Sequence, residues 1–143
     1  MVTADLKTLI RVRDWQVDEK QRVVGALLRD LDDLKARARA LDQEVTSEQE
    51  IARSAPDEAG MAYAGYARRV LDHRAALAQT IAKAEEAVSA AKSALSQAYR
   101  DLKTVEIAQE NRERLAAAEV ERRETIALDE IALQGFRQRA TER

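Results

Sequence analysis

Several residue types are scarce or missing in this chain, and each absence excludes a class of structure or function. No cysteine occurs, which excludes disulfides, thiolate chemistry and cysteine metal sites. One proline and four glycines supply too little turn chemistry for a sheet or for many short elements. The longest apolar run, residues 23–28, is far shorter than the roughly 20 residues that a membrane-spanning helix needs, and no signal-peptide core opens the chain. We therefore expect a cytoplasmic protein.

Aromatic residues are also few, and charged residues are abundant. Only 3% of the 143 residues are aromatic, fewer than a compact domain of this length normally buries, whereas 35% are charged. Alanine, leucine, arginine and glutamate dominate, a composition typical of long helices and coiled coils. The 24 basic and 26 acidic residues are mixed along the chain, so no concentrated basic face favours nucleic acid as a partner.

The first half of the chain carries a hydrophobic seam with alternating steps of four and three residues. Eleven of its fourteen positions are apolar, and a seam that repeats every 3.5 residues over this length indicates a coiled coil. It predicts a first helix over about residues 4–53. The positions are Leu6, Ile10, Arg13, Val17, Lys20, Val24, Leu27, Leu31, Leu34, Ala38, Leu41, Val45, Glu48 and Ala52.

A reversal is predicted at about residues 54–61, where the only proline lies close to a glycine. The seam then resumes in a second helix over about residues 62–139. Twelve of its thirteen positions are apolar: Tyr63, Ala67, Val70, Arg74, Leu77, Ile81, Ala84, Val88, Ala91, Leu95, Ala98, Leu102 and Val105. The sequence thus predicts an all-α fold, a long antiparallel two-helix coiled-coil hairpin that forms a single domain over residues 1–143.

The second helix is predicted to extend beyond the first. A reversal centred near Asp57 pairs residues whose numbers add to about 115, which places Leu6 opposite Gln109, where the seam stops. The remaining C-terminal helix overhangs by about 30 residues, or roughly 45 Å. It contains an apolar cluster at residues 126–133 that nothing in the chain covers. Exposed apolar surface of this kind usually marks a binding site.

No residue pattern in the chain points to catalysis. Carboxylates on long exposed helices form solvated faces rather than enclosed clefts, and no glycine-rich phosphate loop is present. His73 is the only histidine, and there is no cysteine to make a metal site with it, so we expect a solvated residue and no metal or cofactor site. The seam charges are expected to fix register by reaching to flanking charges. Trp15 points away from the seam, which is consistent either with a surface residue that has no binding role or with a contact to a partner. The prediction is a protein that is not an enzyme.

Both ends of the chain resemble a known family. Residues 6–13 (LKTLIRVR) and 17–22 (VDEKQR) are similar to the start of the flagellar FliJ family and its injectisome relatives of the YscO type. Residues 121–132 (ERRETIALDEIA) are similar to the family's C-terminal stretch, with its Leu-Asp-Glu-hydrophobic signature at residues 128–131. Length, helical hairpin and overhanging second helix agree with this resemblance.

The resemblance implies a stalk of the flagellar type III export apparatus, at the cytoplasmic side of the cell membrane. Such a stalk inserts into the hexameric export ATPase and contacts the export gate protein in the membrane, and some members also bind export chaperones. Glu44 and Glu48 depart from the aromatic residues expected to face the gate protein. Residues from both ends would form the tip that enters the ATPase ring. The candidate partner-binding residues are Leu6, Leu9, Ile10, Arg13, Trp15, Leu115, Arg123, Leu128, Asp129, Ile131 and Phe136.

Two other functions fit the same pattern. In the first, the chain is a generic structural coiled coil whose overhang pairs with a second copy. In the second, it is a prefoldin-like or export chaperone whose helical ends grip unfolded clients. Both share the expectation of no small-molecule substrate.

Overall fold

Two long helices account for nearly all of the chain. The computed structural model describes residues 2–54 and 56–142, and the side chains at 6–54 and 62–142. Helix α1 spans Val2–Ser54 (53 residues) and helix α2 spans Pro56–Thr141 (86 residues). Within those described ranges no residue lies in a strand. The all-α helical hairpin predicted from the sequence is confirmed.

The second helix begins earlier than the expected position of about residue 62. It starts at Pro56. Proline is tolerated at this position because the N–H that it lacks would have no hydrogen-bond acceptor within the helix, and because its fixed φ suits a helix. Asp57 and Glu58 follow, and negative charges in a first turn are favoured by the helix dipole. The part of the expected reversal that falls on Ala55 lies outside the described residues.

By their internal contacts, the residues group into two compact units. The central unit is Gln16–Ala98, and the terminal unit combines Met1–Trp15 with Tyr99–Arg143. In the central unit, α1 and α2 bury side chains at the predicted seam positions. Among all seam positions from 17 to 98 only Lys20 and Arg74 are exposed. The buried apolar side chains of this unit are Val17, Val24, Leu31, Leu41, Val70, Val88 and Ala98.

Ion pairs between the helices of the central unit show that they run antiparallel. Arg74 Nη2 lies 2.7 Å from Asp42 Oδ1, and Lys35 Nζ lies 3.8 Å from Glu85 Oε1. Arg74 is a seam charge, so it reaches sideways to a flanking carboxylate as predicted. Because these side chains are largely exposed, each pair contributes about 0–1 kcal/mol, and it fixes register more than stability.

The terminal unit contains the same antiparallel arrangement over a shorter length. Arg13 Nη1 lies 3.8 Å from Asp101 Oδ2, Leu6 and Ile10 are half-buried, and Leu102 is buried. This places the start of α1 along the first third of the α2 residues in this unit.

Candidate partner-binding surface

The last part of α2 is uncovered over its whole length. We call residues 113–141 the distal segment. Only Glu119 and Gly135 in it are half-buried, and all its other residues are exposed. Seven large apolar side chains therefore face outward on one helix: Leu115, Val120, Ile126, Leu128, Ile131, Leu133 and Phe136. This density of exposed apolar side chains on a single helix is the feature that marks binding surfaces.

The apolar side chains of the distal segment lie on two opposite faces. Each residue advances by about 100° around a helix, so Ile126 and Leu133 share one face, and Phe136 extends it by one turn. Leu128 and Ile131 share the opposite face. A helix that is apolar on opposite sides is normally enclosed rather than laid on a flat surface. The distal segment therefore suits a partner that surrounds it.

A cluster of charges stiffens the middle of the distal segment. Glu119 accepts hydrogen bonds from Arg122 Nη2 at 2.7 Å, from Arg122 Nε at 3.0 Å and from Arg123 Nε at 3.2 Å. The hydrogen bonds from Arg122 lower the pKa of Glu119, partial desolvation opposes them, and the hydrogen bond from Arg123 adds to the lowering. Glu119 therefore stays ionised, and its ion pairs with Arg122 and Arg123 support the helix. Arg123, a predicted site residue, is engaged in this cluster.

The candidate residues of α1 differ in accessibility. Leu6, Ile10 and Arg13 are half-buried against α2, so much of their surface supports the hairpin. Leu9 is exposed beside the seam. Trp15 is 62% exposed, on the side of α1 that faces away from the seam. Sequence reasoning placed Trp15 away from the seam, and its exposure agrees with that placement.

The structure does not bring all the predicted site residues together. The α1 residues lie along the part of α2 near Asp101, whereas Leu128, Asp129, Ile131 and Phe136 lie well beyond it. Leu128 follows Asp101 by 27 residues, which is roughly 40 Å of helix. The candidates therefore form two surfaces, one near Trp15 and one on the distal segment.

Ile126 and Leu133 lie in the apolar cluster predicted at residues 126–133 but are not among the individual candidate residues, although both are exposed. Their separation of seven residues was the available signal, because it places them on one face. They line a shallow surface groove together with Asp129, Glu130, Gln134 and Arg137.

A buried polar side chain marks the end of the hydrophobic seam. Gln109 is 6% exposed, and its Nε2 donates a hydrogen bond to Glu113 Oε1 at 2.9 Å. Its other amide atom, Oε1, is enclosed without a hydrogen-bond partner. Rotating the amide would turn an oxygen toward the Glu113 carboxylate, so the hydrogen bond fixes this orientation. A buried acceptor without a partner costs stability.

Replacing Gln109 with leucine is therefore expected to raise the free energy of unfolding by about 1 kcal/mol, because the unsatisfied acceptor is removed and apolar surface is added. Urea unfolding followed by circular dichroism measures the change. The matched control is Glu110→Leu at the adjacent exposed position, where we expect a change within about 0.5 kcal/mol. A less stable Gln109→Leu variant would mean that the amide stabilises the hairpin.

Two other features are absent from the described part of the chain. No group of three or more histidine, aspartate or glutamate residues there is arranged to hold a metal ion. Neither of the helices, over those same residues, contains a stretch long and apolar enough to span a bilayer.

The fold and the uncovered distal segment define an all-α helical-hairpin protein with a large exposed apolar surface. A sequence model of the family described as "Flagellar FliJ protein" matches residues 3–141, nearly the whole chain. The chain belongs to the FliJ family, which confirms the resemblance seen at its two ends. It is a component of the flagellar protein export apparatus, and the family is one of structural proteins not known as enzymes. Comparisons with curated proteins and with solved structures gave no match.

Proposed function

We propose that this chain is a non-enzymatic stalk that inserts its distal segment into the hexameric ATPase of the export apparatus. The observation that carries the proposal is the outward-facing apolar side chains on opposite faces of the distal segment. A ring surrounds a helix and can cover both faces at once, whereas a flat surface covers one. Family membership supports an export-apparatus partner.

The same proposal includes the other partners that the FliJ resemblance implies. The chain contacts the export gate protein in the membrane and can also bind export chaperones. It works in the cytoplasm and, peripherally, at the cytoplasmic face of the membrane beneath the flagellum. We further propose that Leu9 and Trp15 provide a second, smaller contact with the ATPase, because both are exposed in the terminal unit.

Self-association is the alternative that a specific observation favours. Ile126, Leu133 and Phe136 continue a heptad-like spacing of seven and three residues, which would suit a coiled coil with a second copy of the distal segment. In that case the chain would be a structural homo-oligomer. A third possibility, the prefoldin-like chaperone, uses the same apolar residues to grip unfolded clients.

Sedimentation velocity of the full chain, alone and mixed with the hexameric export ATPase, separates these functions. A stalk is expected to sediment alone as a monomer of 16.0 kDa and to bind one copy per ring. A dimer or tetramer that ignores the ATPase would support the structural coiled coil instead. Suppression of client aggregation without any ATPase binding would support the chaperone.

A further inference from the structure

A small cleft lies between α1 and α2 in the central unit, near the end of α1. Its volume is about 290 Å³, slightly below the range of about 300–1,000 Å³ typical of small-molecule pockets. A cleft of this size suits one side chain of a partner better than a free ligand. Its lining residues are Glu48, Ile51, Ala52, Ala62, Tyr63 and Tyr66.

Two tyrosine rings form one side of this cleft. The ring centroids of Tyr63 and Tyr66 are 6.2 Å apart, and the ring planes are inclined by 43°. Both side chains are half-buried, so their positions are held while part of each ring stays accessible. Ala52 and Ala62 leave the space between the two helices unfilled. Paired aromatic rings beside an open space attract cations through their negatively charged faces.

Carboxylates complete the site and give it a negative potential. Burial raises the pKa of Tyr66, and the nearby charges of Glu44 and then Glu48 raise it further. The Tyr66 hydroxyl oxygen is enclosed, and its approach to Glu44 falls short of a well-formed hydrogen bond. Among the described side chains, no lysine or arginine forms an ion pair with Glu44 or Glu48.

The negative charge at the cleft comes from two carboxylates. Glu48 lines the cleft, and the charge of Glu44 acts on Tyr66. Arg53, Arg68 and Arg69 are near in sequence, but none of them is among the described residues that line the cleft. A cation that enters the cleft therefore meets carboxylates there and no positive charge from the described lining residues.

We propose that this acidic tyrosine cleft binds an arginine side chain of a partner protein. A guanidinium group is planar, stacks on a tyrosine ring and donates hydrogen bonds to a carboxylate at the same time. Glu48 and the two rings provide these two kinds of contact within one cleft. Positions 44 and 48 are those at which the FliJ resemblance places the contact with the export gate protein, so this inference rests on that part of the proposed function and names the chemistry of the contact.

The test is a titration of the full chain, with ¹³C-labelled tyrosine rings, by N-acetyl-arginine amide in an NMR experiment. We expect the ring signals of Tyr63 and Tyr66 to shift and saturate, with a dissociation constant on the order of millimolar, the weak affinity of a single side chain. Tyr99 belongs to the terminal unit and serves as the internal reference that should not move. N-acetyl-citrulline amide has a similar shape without the charge, and it should leave all three signals in place.

Two variants test which side chains hold the cation. Glu44→Gln combined with Glu48→Gln is expected to weaken arginine binding about two- to fivefold, because the ion pair is lost while the rings remain. Glu86→Gln, at an exposed position in the same unit, is the matched control and should bind as the unaltered chain does. Three results would overturn the proposal: equal shifts at all three tyrosines, an equal response to citrulline, or unweakened binding in the double variant with its helical content intact.

Discussion

Removing residues 120–143 is expected to abolish association with the hexameric export ATPase while the helical content per residue of the remaining chain stays nearly unchanged. The deleted stretch contains Ile126, Leu128 and Phe136, all exposed, so little packing is lost with it. The contacts that hold the hairpin, including Arg13 with Asp101, all precede the deletion. Sedimentation with the ATPase and far-ultraviolet circular dichroism measure the two expectations. Retained ATPase binding would contradict the proposed role of the distal segment.

A pair of substitutions makes the same test without shortening the chain. Leu128→Ser combined with Ile131→Ser is expected to weaken ATPase binding at least about tenfold, because buried apolar anchors at an interface commonly contribute more than 1 kcal/mol each. Leu71→Ser is the matched control, since Leu71 is 65% exposed in the central unit and Leu128 is 66% exposed. Both leucines lie in α2, so the intrinsic cost to the helix per site is the same. Equal weakening by the control would point to a general loss of stability.

Leu31→Ala is expected to lower the free energy of unfolding by about 2–4 kcal/mol, the second large effect. Leu31 is 7% exposed on the seam of α1, and truncating a buried leucine removes apolar contacts and leaves a cavity. Urea unfolding followed by circular dichroism gives the change. If the two helices move together and partly fill the cavity, the loss in the free energy of unfolding lies at the lower end of this range.

The control for Leu31 lies three residues earlier on the same helix. Leu28 is 38% exposed, so Leu28→Ala is expected to lower the free energy of unfolding by less than about 1 kcal/mol. Equal losses from the two substitutions would contradict the assignment of the seam, because they would mean that α1 buries a wider or different face.

The seam could be predicted from the sequence because its period is strong and nearly unbroken. Val17, Val24 and Leu31 recur at seven-residue intervals, and all three are buried. Arg74 breaks the apolar pattern and is exposed, with its guanidinium on Asp42. Gln109, where the pattern was expected to stop, is the last buried position among the described side chains. A heptad period leaves few alternative faces to bury, so pattern and structure agree closely here.

The start of α2 could not be read in the same way. Proline and glycine usually mark a turn, so Pro56 and Gly60 together predict a reversal over residues 54–61. The two helices leave only one residue between them, because α1 ends at Ser54 and α2 begins at Pro56. Both residues are compatible with the first turns of a helix, because proline costs little there and a single glycine lowers helix propensity by only about 1 kcal/mol. The local sequence is therefore compatible both with a reversal that extends to Gly60 and with a helix that begins at Pro56. Only the three-dimensional structure distinguishes the two.

The candidate surface was predicted only in part, for a geometrical reason. The sequence showed that residues 126–133 had nothing to cover them, and their exposure agrees. It did not show that Trp15 and Leu128 lie on separate surfaces, because that depends on how far α2 extends past α1. Nor could it show Tyr66 beside Glu44 and Glu48, since contacts between helices depend on register to within one residue.

Hydrogen exchange of the full chain, alone and bound to the export ATPase ring, tests most directly whether the distal segment is uncovered in the chain and covered by its partner. The account predicts that amides at residues 113–141 exchange quickly in the free chain, because an isolated helix frays, and become protected in the complex. Amides along residues 17–52 and 63–98 should be protected in both states. Slow exchange at 113–141 in the free monomer, or no added protection there in the complex, would contradict the account.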